Sequence, residues 1–469
     1  MADPKPFLIP DLDWPELTDE ANQLMRELFP LCRSLTGQGV RQTLQRLQQV
    51  AAFDILEIPS GREAYDWEVP PEWNIQSAYL ETEDGDRILD FDDHNLHVVS
   101  YSIPVDEVLT WDQLDSHLHT LPDLPEAIPY RTSYYDRDWG FCLPYEQYQQ
   151  LDRSVRYRAV INSTLKPGSM TMGETVLQGE SGQEFLISAY CCHPSMANDS
   201  LSGVVLWALL LRTLQRSPNW HSYRFVILPE TIGAIAYLAH REEQMKAIEG
   251  GLIPTTLAGP GPFGYKRTFQ GDSLIDRAAR RTFLEQGVEF VDYPFDINGS
   301  DEKQYSAPAF RIPVGTISKS KYYEYKEYHT SLDNLDFIRP EHLIDSLKLY
   351  LLTVEKLELD LTYRSLAPHS EPMLGKRGLY PKLGGSIKQQ AADLYRQHGE
   401  RRYQIEIDQS IYGSALDALR WLMFYADGEH TLLDIAEKVD LPVRQLFETA
   451  ELLRKQDLLE LLDKTGKEA

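Results

Sequence analysis

The chain has 469 residues, 42% of them hydrophobic and 25% charged, with a formal net charge of −26. That length allows two to four domains, since single cores stop growing near about 250–300 residues, and the composition is that of a soluble globular protein. The excess of acid argues against nucleic acid, whose phosphates are bound by clustered Lys and Arg, and no run approaches the roughly 18 apolar residues of a membrane span.

The amino terminus, Met1-Ala2-Asp3-Pro4-Lys5-Pro6, lacks the charged-then-apolar layout of a secretory signal, so a cytoplasmic protein is expected. Four cysteines, Cys32, Cys142, Cys191 and Cys192, are too few to staple such a chain and are expected as thiols. Residues 21–29 read as a helix, with Leu24 and Leu28 at helical spacing and Pro30 at its end. Arg33-Ser34-Leu35-Thr36-Gly37-Gln38-Gly39 is a turn into a second helix over 40–50, and a strand at 53–58 follows. The texture then changes. Short alternating segments at 75–81 and 87–91 flank Glu83-Asp84-Gly85, a hairpin signal. A further strand is expected at 96–102 and a short helix at 108–117. Residues 62–130 therefore read as a small β-rich domain inserted into a larger one made of 21–61 and 131–367. Residues 130–143 are unusually aromatic, with Tyr130, Tyr134, Tyr135, Trp139 and Phe141, a density suited equally to core and to binding surface.

Strands at 155–163 and 170–177 lead to the segment around which the chain is organised; Glu174, on the second, could face a cleft. A strand at 185–190 delivers Cys191-Cys192-His193-Pro194 and then Asn198-Asp199-Ser200-Leu201-Ser202-Gly203. An apolar helix over 204–214 and a strand over 223–228 follow, ending in Pro229-Glu230-Thr231-Ile232-Gly233. A His and an Asp after one strand and a Glu after the next lie at one end of a sheet, where open α/β folds place their chemistry. A strand at 252–258 runs into Gly259-Pro260-Gly261-Pro262, and a helix spans 274–285. Asn298-Gly299-Ser300-Asp301-Glu302 follows a strand at 288–293, and another strand covers 309–315. Glu327-Tyr328-His329-Thr330-Ser331-Leu332-Asp333 precedes a long helix begun by Pro340. The alternation from 155 to 360 argues for an α/β layered domain.

Beyond Pro368-His369-Ser370-Glu371-Pro372, helices at 414–424, 432–439 and 443–455 and a strand at 458–462 make a helix-turn-helix-like domain over 371–469. Its last helix sets Arg444, Arg454 and Lys455 against Glu448 and Glu451, a near-balance that suits packing or a homodimer contact better than DNA.

Three protein ligands plus water is the common arrangement of catalytic zinc, and His193, Asp199 and His329 are candidates for it. Asp333 or Asp336 could orient an imidazole, and Glu230 is the natural general base. The same residues have plain structural readings: a hydrogen-bonded His, a helix cap at Asp199, a solvated strand end at Glu230.

Cys192-His193-Pro194 with Asn198-Asp199 and Leu201-Ser202-Gly203, Pro229-Glu230-Thr231-Ile232-Gly233, and Tyr328-His329-Thr330 with Asp333 resemble the aminopeptidase-like zinc exopeptidase superfamily. Within it they resemble a bacterial branch with an inserted small β-domain and a C-terminal winged helix. Arg33-Ser34-Leu35-Thr36-Gly37, Asn95-Leu96-His97-Val98-Val99-Ser100-Tyr101-Ser102, Trp139-Gly140-Phe141-Cys142, Tyr265-Lys266-Arg267 and Ser300-Asp301-Glu302 resemble that branch too. The resemblance implies an α/β fold: a mixed central sheet flanked by helices, phosphorylase/hydrolase-like, with zinc at the strand ends. In dizinc members the position of His193 holds one metal, that of Asp199 bridges both, Glu230 falls on the general base and His329 on a terminal ligand. The chain departs from that pattern at Thr231, where a second Glu ligand belongs, and at Ala258-Gly259-Pro260-Gly261, where a late Asp ligand belongs.

One zinc ion, held by His193, Asp199 and His329, is therefore expected. Tyr134, Tyr135, Tyr265, Lys266 and Arg267 are candidates for contact with substrate or oxyanion, and Asp301 and Asp333 for support behind the ligands. The expected activity is hydrolysis of a C–N bond in a peptide or small N-acyl amide. The alternative is a non-catalytic, zinc-stabilised scaffold for protein interaction.

Overall fold

The computed structural model describes residues 5–379 and 415–462. The chain divides into two units, one formed by Pro10–Ala279 and Glu289–Leu351, the other by the described residues of Met1–Ile9, Arg280–Val288 and Leu352–Ala469.

The larger unit is built on eight strands: β1 (Asp54–Pro59), β2 (Ser169–Leu177), β3 (Glu184–Tyr190), β4 (Ser222–Leu228), β5 (Ile248–Leu252), β6 (Phe263–Lys266), β7 (Phe290–Tyr293) and β8 (Val314–Lys319). Their order across the sheet is β1-β2-β4-β3-β5-β8-β6-β7. The four central strands β4, β3, β5 and β8 run parallel. Antiparallel pairings join them to β2 and β1 on one side and to β6 on the other. All seven residues of β4 are buried, as are six of the seven in β3. Such nearly continuous apolar runs are what a strand covered on both faces requires.

Helix α3 (Gly203–Gln215), apolar on almost every side, supplies part of that cover. Its Trp207 is fully buried, meets Phe53 and Phe225 edge-on, and donates its indole N–H to Ile187 O at 3.2 Å. The order of the parallel strands decides where chemistry can sit. From β3 the chain goes to β4 on one side, then returns to β5 on the other, so a crevice opens beyond the C-terminal end of β3. The residues after β3, β4, β5 and β8 all gather at that edge.

A second sheet, all antiparallel, has the order Arg87–Asp90, Glu72–Thr82, Tyr157–Lys166, Val105–Leu109. The Asp-Gly turn does join its first hairpin. Its other long strand comes from Tyr157–Lys166, a long-range pairing that no local pattern announces. Several local expectations are corrected. β5 ends at Leu252, where a strand over 252–258 was expected, and β8 spans Val314–Lys319 instead of 309–315. Residues 96–102 are not a strand but a short 3-10 turn, Asn95–His97, followed by two isolated bridges, Val98 to Phe141 and Ser100 to Thr132; the turn forms because the His94 imidazole accepts from Leu96 N. The helix expected over 108–117 begins only after the strand Val105–Leu109, at Trp111, where Thr110 and Gln113 form a capping box.

The other unit contains helices Ala415–Tyr425, Leu432–Val439 and Val443–Arg454 with a three-stranded sheet. The middle strand is Thr362–Ser365, which precedes the Pro368 break, flanked by Asp427–Thr431 and Leu459–Leu462.

In the larger unit, Arg41 of helix α2 (Gln38–Leu47) grips Glu72 with two hydrogen bonds of 2.7 Å, tying that helix to the second sheet. The Arg41 bonds, helped by Asn74 and Ser169 N, outweigh partial burial and hold the Glu72 carboxyl down at about 2. A depressed carboxylate contributes stability that is present above its unfolded pKa and lost as pH falls through the folded one. Glu72→Gln should therefore lower the urea midpoint at pH 6 and much less so at pH 2–3. An equal loss at both would mean the ion pair contributes nothing.

Candidate metal centre

Strand β3 ends at Tyr190, and Cys191 N still bonds to Leu228 O at 2.9 Å, so the following turn starts from a fixed point. His193, at 3% exposure, is held from behind by Arg33, whose Nε donates to His193 O at 2.9 Å. Arg33 also donates to Leu28 O at the end of helix α1 (Trp14–Leu28). Among the described residues it has no carboxylate partner, and burial among Cys32, Cys191 and Cys192 lowers its pKa to about 10, leaving it a cation at neutral pH.

Asp199 lies in the buried turn Ala197–Ser202 that leads into α3, and its peptide bond to Ser200 is cis. Asp333 shapes that turn. Its two oxygens accept from Asn198 N at 2.6 Å and Asp199 N at 3.0 Å, and Tyr325 donates to it at 3.0 Å. The Asn198 side chain accepts from Ala258 N and Gly259 N at 2.9 and 3.0 Å and donates to Ser320 O at 3.3 Å. The loops after β3, β5 and β8 thus meet on one amide. Asp199 Oδ1 accepts from the Tyr190 hydroxyl at 2.5 Å, and that hydroxyl also lies 2.6 Å from Thr255 Oγ1.

The other oxygen, Oδ2, lies 3.0 Å from His329 Nε2. Both atoms are buried, yet neither makes a hydrogen bond of ordinary geometry. His329 sits in the left-handed region at φ 57°, its carbonyl bonded to Tyr130 N at 2.9 Å and its ring stacked on Tyr328 at 3.9 Å. The ligand atoms of His193, Asp199 and His329 all lie within 4.8 Å of one another, and Glu230 Oε2 lies 3.9 Å from His193 Nε2.

Burial pushes the His193 pKa down to about 4, so its imidazole is neutral. Burial would raise Asp199, but His193, His329 and Tyr190 outweigh it and hold the carboxyl at about 2. Glu230 is raised well above the carboxylate range, by burial first and then by Asp301 and Asp199. Burial also lifts Asp301 and Asp333 to about 7. A neutral imidazole, an ionised carboxylate and two converging buried atoms without ordinary hydrogen bonds are the donor set zinc accepts. With Oδ1 engaged by Tyr190, Asp199 offers a single oxygen to such an ion.

The two departures noted in the sequence are filled by other contacts. Thr231 is left-handed at φ 63° and donates its N–H to Asp301 at 2.7 Å. Ala258 and Gly259 give their N–H groups to Asn198. Among the described residues, the three-residue group is the one cluster of potential metal ligands.

The remaining residues named from sequence are spread out. Tyr134, half-buried, packs against the buried cluster that contains Cys192. Tyr135 is 45% exposed, its hydroxyl on Glu68 O. Tyr265 is fully buried on Asp276, Lys266 is buried against Asn298 O and Glu302, and Arg267 forks onto Asp292. Glu174 does not face this crevice; it pairs with Arg241 and Tyr237. Asp301 supports the Glu230–Thr231 turn, and Asp333 holds backbone N–H groups instead of an imidazole, while Asp336 is exposed. Tyr190, Tyr130 and Asn198 were not singled out. Their signal was position alone: the last residue of a strand, the first of an aromatic run, the neighbour of a ligand.

Residues 22–360 match the family described as a domain of unknown function, DUF4910, and residues 394–461 match a winged helix-turn-helix family. A Clostridium acetobutylicum protein, provisionally named a polysaccharide biosynthesis protein with an aminopeptidase-like domain, is 39% identical over 447 residues, covering 95% of this chain and 97% of its own length. The crystal structure of a provisionally named peptidase from Clostridium acetobutylicum matches with a TM-score of 0.85 at 38% identity, over 96% of this chain and 98% of that one. The zinc aminopeptidase BSAP of Bacillus subtilis matches with a TM-score of 0.55 at 14% identity, over 75% of this chain and 96% of its own, a likeness of fold.

Removing Asp333 would orphan two buried N–H groups beside Asp199, each worth about 1–3 kcal/mol. Asp333→Ala should lower stability by roughly that sum and speed loss of zinc to a chelator, measured by thermal denaturation and by competition with a colorimetric zinc indicator. Unchanged retention of zinc would show that Asp333 does not shape the turn that carries Asp199.

Proposed function

The chain belongs to the DUF4910 family, and from that premise we propose that it is a zinc-dependent hydrolase of a peptide or small amide, using one metal ion and Glu230 as general base. The observation that carries the reading is the approach of Asp199 Oδ2 to His329 Nε2 at 3.0 Å, both buried and unpartnered, within a group completed by His193. A zinc ion held by these three would supply a Lewis acid that polarises an amide carbonyl and makes a water molecule acidic near neutral pH.

The protein's own groups do the rest. Glu230, beside His193, takes a proton from the attacking water and returns it to the leaving nitrogen as the C–N bond breaks. A carboxyl held above its ordinary range suits both halves of that exchange. Tyr190 and the Asp333-bound turn fix Asp199, and Arg33 fixes the carbonyl of His193. The name of the Clostridium relative couples an aminopeptidase-like domain with polysaccharide biosynthesis, which sets an N-acylated sugar beside a peptide as substrate.

For the C-terminal unit a packing or subunit contact is favoured over nucleic acid, since Arg444 and Arg454 are already engaged by Glu355, Glu448 and Glu451.

Elemental analysis by inductively coupled plasma mass spectrometry tests the centre. We expect about one zinc per chain, lost in His193→Ala, Asp199→Ala and His329→Ala while each remains folded. Glu230→Gln should keep the zinc and lose about 10²–10⁴-fold in amide hydrolysis. Two ions per chain would overturn the single-metal reading. No zinc after reconstitution would favour the non-catalytic scaffold.

A further inference from the structure

Aromatic rings enclose the two histidines. Tyr130 lies 5.3 Å from each, Tyr190 lies 5.3 Å from His193, and Tyr328 stacks on His329 with 14° between the planes. Tyr323 carries that stack outward. Its ring meets Tyr328 edge-on at 5.0 Å. Through Tyr328, which stacks on His329 at 3.9 Å, Tyr323 reaches the edge of the crevice. Yet Tyr323 is 58% exposed.

This ring is held, not loose. Ser320, Tyr323 and His329 are all left-handed, at φ 67°, 66° and 57°. Non-glycine residues keep such a backbone only where the surroundings over-determine it. Those surroundings are present on both sides of Tyr323. Lys319 N and Ser320 N bond to Thr256 O and Pro262 O, and the Tyr322 hydroxyl bonds to buried Glu302 at 3.2 Å. Glu324 N closes the turn onto Lys321 O at 3.1 Å, and Tyr325 is fixed by Asp333 and by stacking on Phe337 at 5.2 Å. A second left-handed tyrosine, Tyr134 at φ 47°, packs against the cluster that contains Cys192, next to His193.

The carboxylates next to Glu230 are engaged within the protein: Asp301 by Thr231 N, Glu302 by Lys266, Thr316 and Tyr322. Selection then falls to the rings. Tyr322 meets the ring edge-on at 5.4 Å and the Lys321 ammonium lies 6.0 Å from its centre, yet more than half of the residue remains exposed. A ring so held at the rim of a crevice gains by being covered with another flat, apolar face.

Resting on the hydrolase reading above, we infer that the substrate carries a flat ring beside its amide, an aromatic side chain or the C–H face of a sugar, and that this ring packs on Tyr323. Tyr323 is then a residue of specificity, and its hydroxyl is dispensable to that role.

Titration calorimetry and saturation-transfer NMR on the full chain, with and without zinc, test this. The probes are the methyl glycoside of N-acetylglucosamine, N-acetylphenylalanine amide and, without a ring, N-acetylalanine amide. One ring-bearing amide should bind the native protein and Tyr323→Phe about tenfold tighter than the ringless one. Tyr323→Ala should abolish that preference with zinc content unchanged. Which ring-bearing amide binds tells sugar from aromatic. No binding of either, equal binding of the ringless amide, or an unaffected Tyr323→Ala would overturn the inference. Ring-dependent binding without turnover by the zinc-loaded chain would keep it and overturn the hydrolase reading; turnover indifferent to the ring would do the reverse.

Discussion

Asp199 is held with one carboxylate oxygen engaged and the other free, and the loops of the parallel sheet are arranged to keep it so. Tyr190, at the end of β3, takes Oδ1; Asp333, beyond β8, takes the backbone N–H; Asn198 gathers the ends of β5 and β8 through three hydrogen bonds. A single free oxygen aimed at a histidine nitrogen cannot arise from one loop. It needs several strand ends brought to one edge, which the parallel order β4-β3-β5-β8 supplies. The long, fully buried strands and apolar α3 serve this purpose by fixing the frame from which those loops depart.

Holding the site this way opposes folding at several points. Ser195, Thr231, Thr256, Ser320, Tyr323 and His329 all lie in the left-handed region in the loops around the crevice. Among the described residues Arg33 is a buried cation without an anion, and Asp199 Oδ2, His329 Nε2 and Glu302 Oε2 are buried without hydrogen bonds. Each such feature costs about 1–3 kcal/mol, against a net stability of only about 5–15 kcal/mol for a typical domain. A chain under selection for stability alone would shed them. Their concentration at one edge of one sheet is itself an argument that this edge is where the protein acts.

That concentration also explains which parts were legible in the sequence. Strands β3 and β4 and the helix between them could be read because fully apolar runs flank a helical one, whereas β6 lay in a segment read as loop and β5 and β8 fall several residues from the expected strands at 252–258 and 309–315. His193, Asp199, Glu230 and His329 stood out because each follows an element end, and the fold brings the ligand atoms of the first, second and fourth within 4.8 Å. Tyr265, Lys266 and Arg267 were drawn into the candidate set by residue type, but β6 turns the first two inward to Asp276 and Glu302 and the third onto Asp292. Direction across a pleat depends on register, and register with β7 and β8 is a long-range property. Asp333 was expected to steady an imidazole, yet it steadies backbone; hydrogen-bond partners more than a hundred residues apart leave no local trace. The Asn95–His97 turn defeated a strand-like pattern because one imidazole captured one N–H.

The two lost carboxylates bear on both the metal and the substrate. A second cation would meet Thr231, whose N–H is turned to Asp301, and a pair of backbone N–H groups already satisfied by a neutral amide at Asn198. Neither offers negative charge to offset the cost of stripping water from a dication. The acids that remain, Glu230, Asp301 and Asp333, are already raised by burial, and the single ion proposed at His193, Asp199 and His329 would offset the charge gathered there. A site with one cation and internally engaged acids has less with which to grip a substrate ammonium, and what it presents instead is tyrosine. The same substitutions that argue for one metal therefore argue that recognition has passed from charge to ring faces.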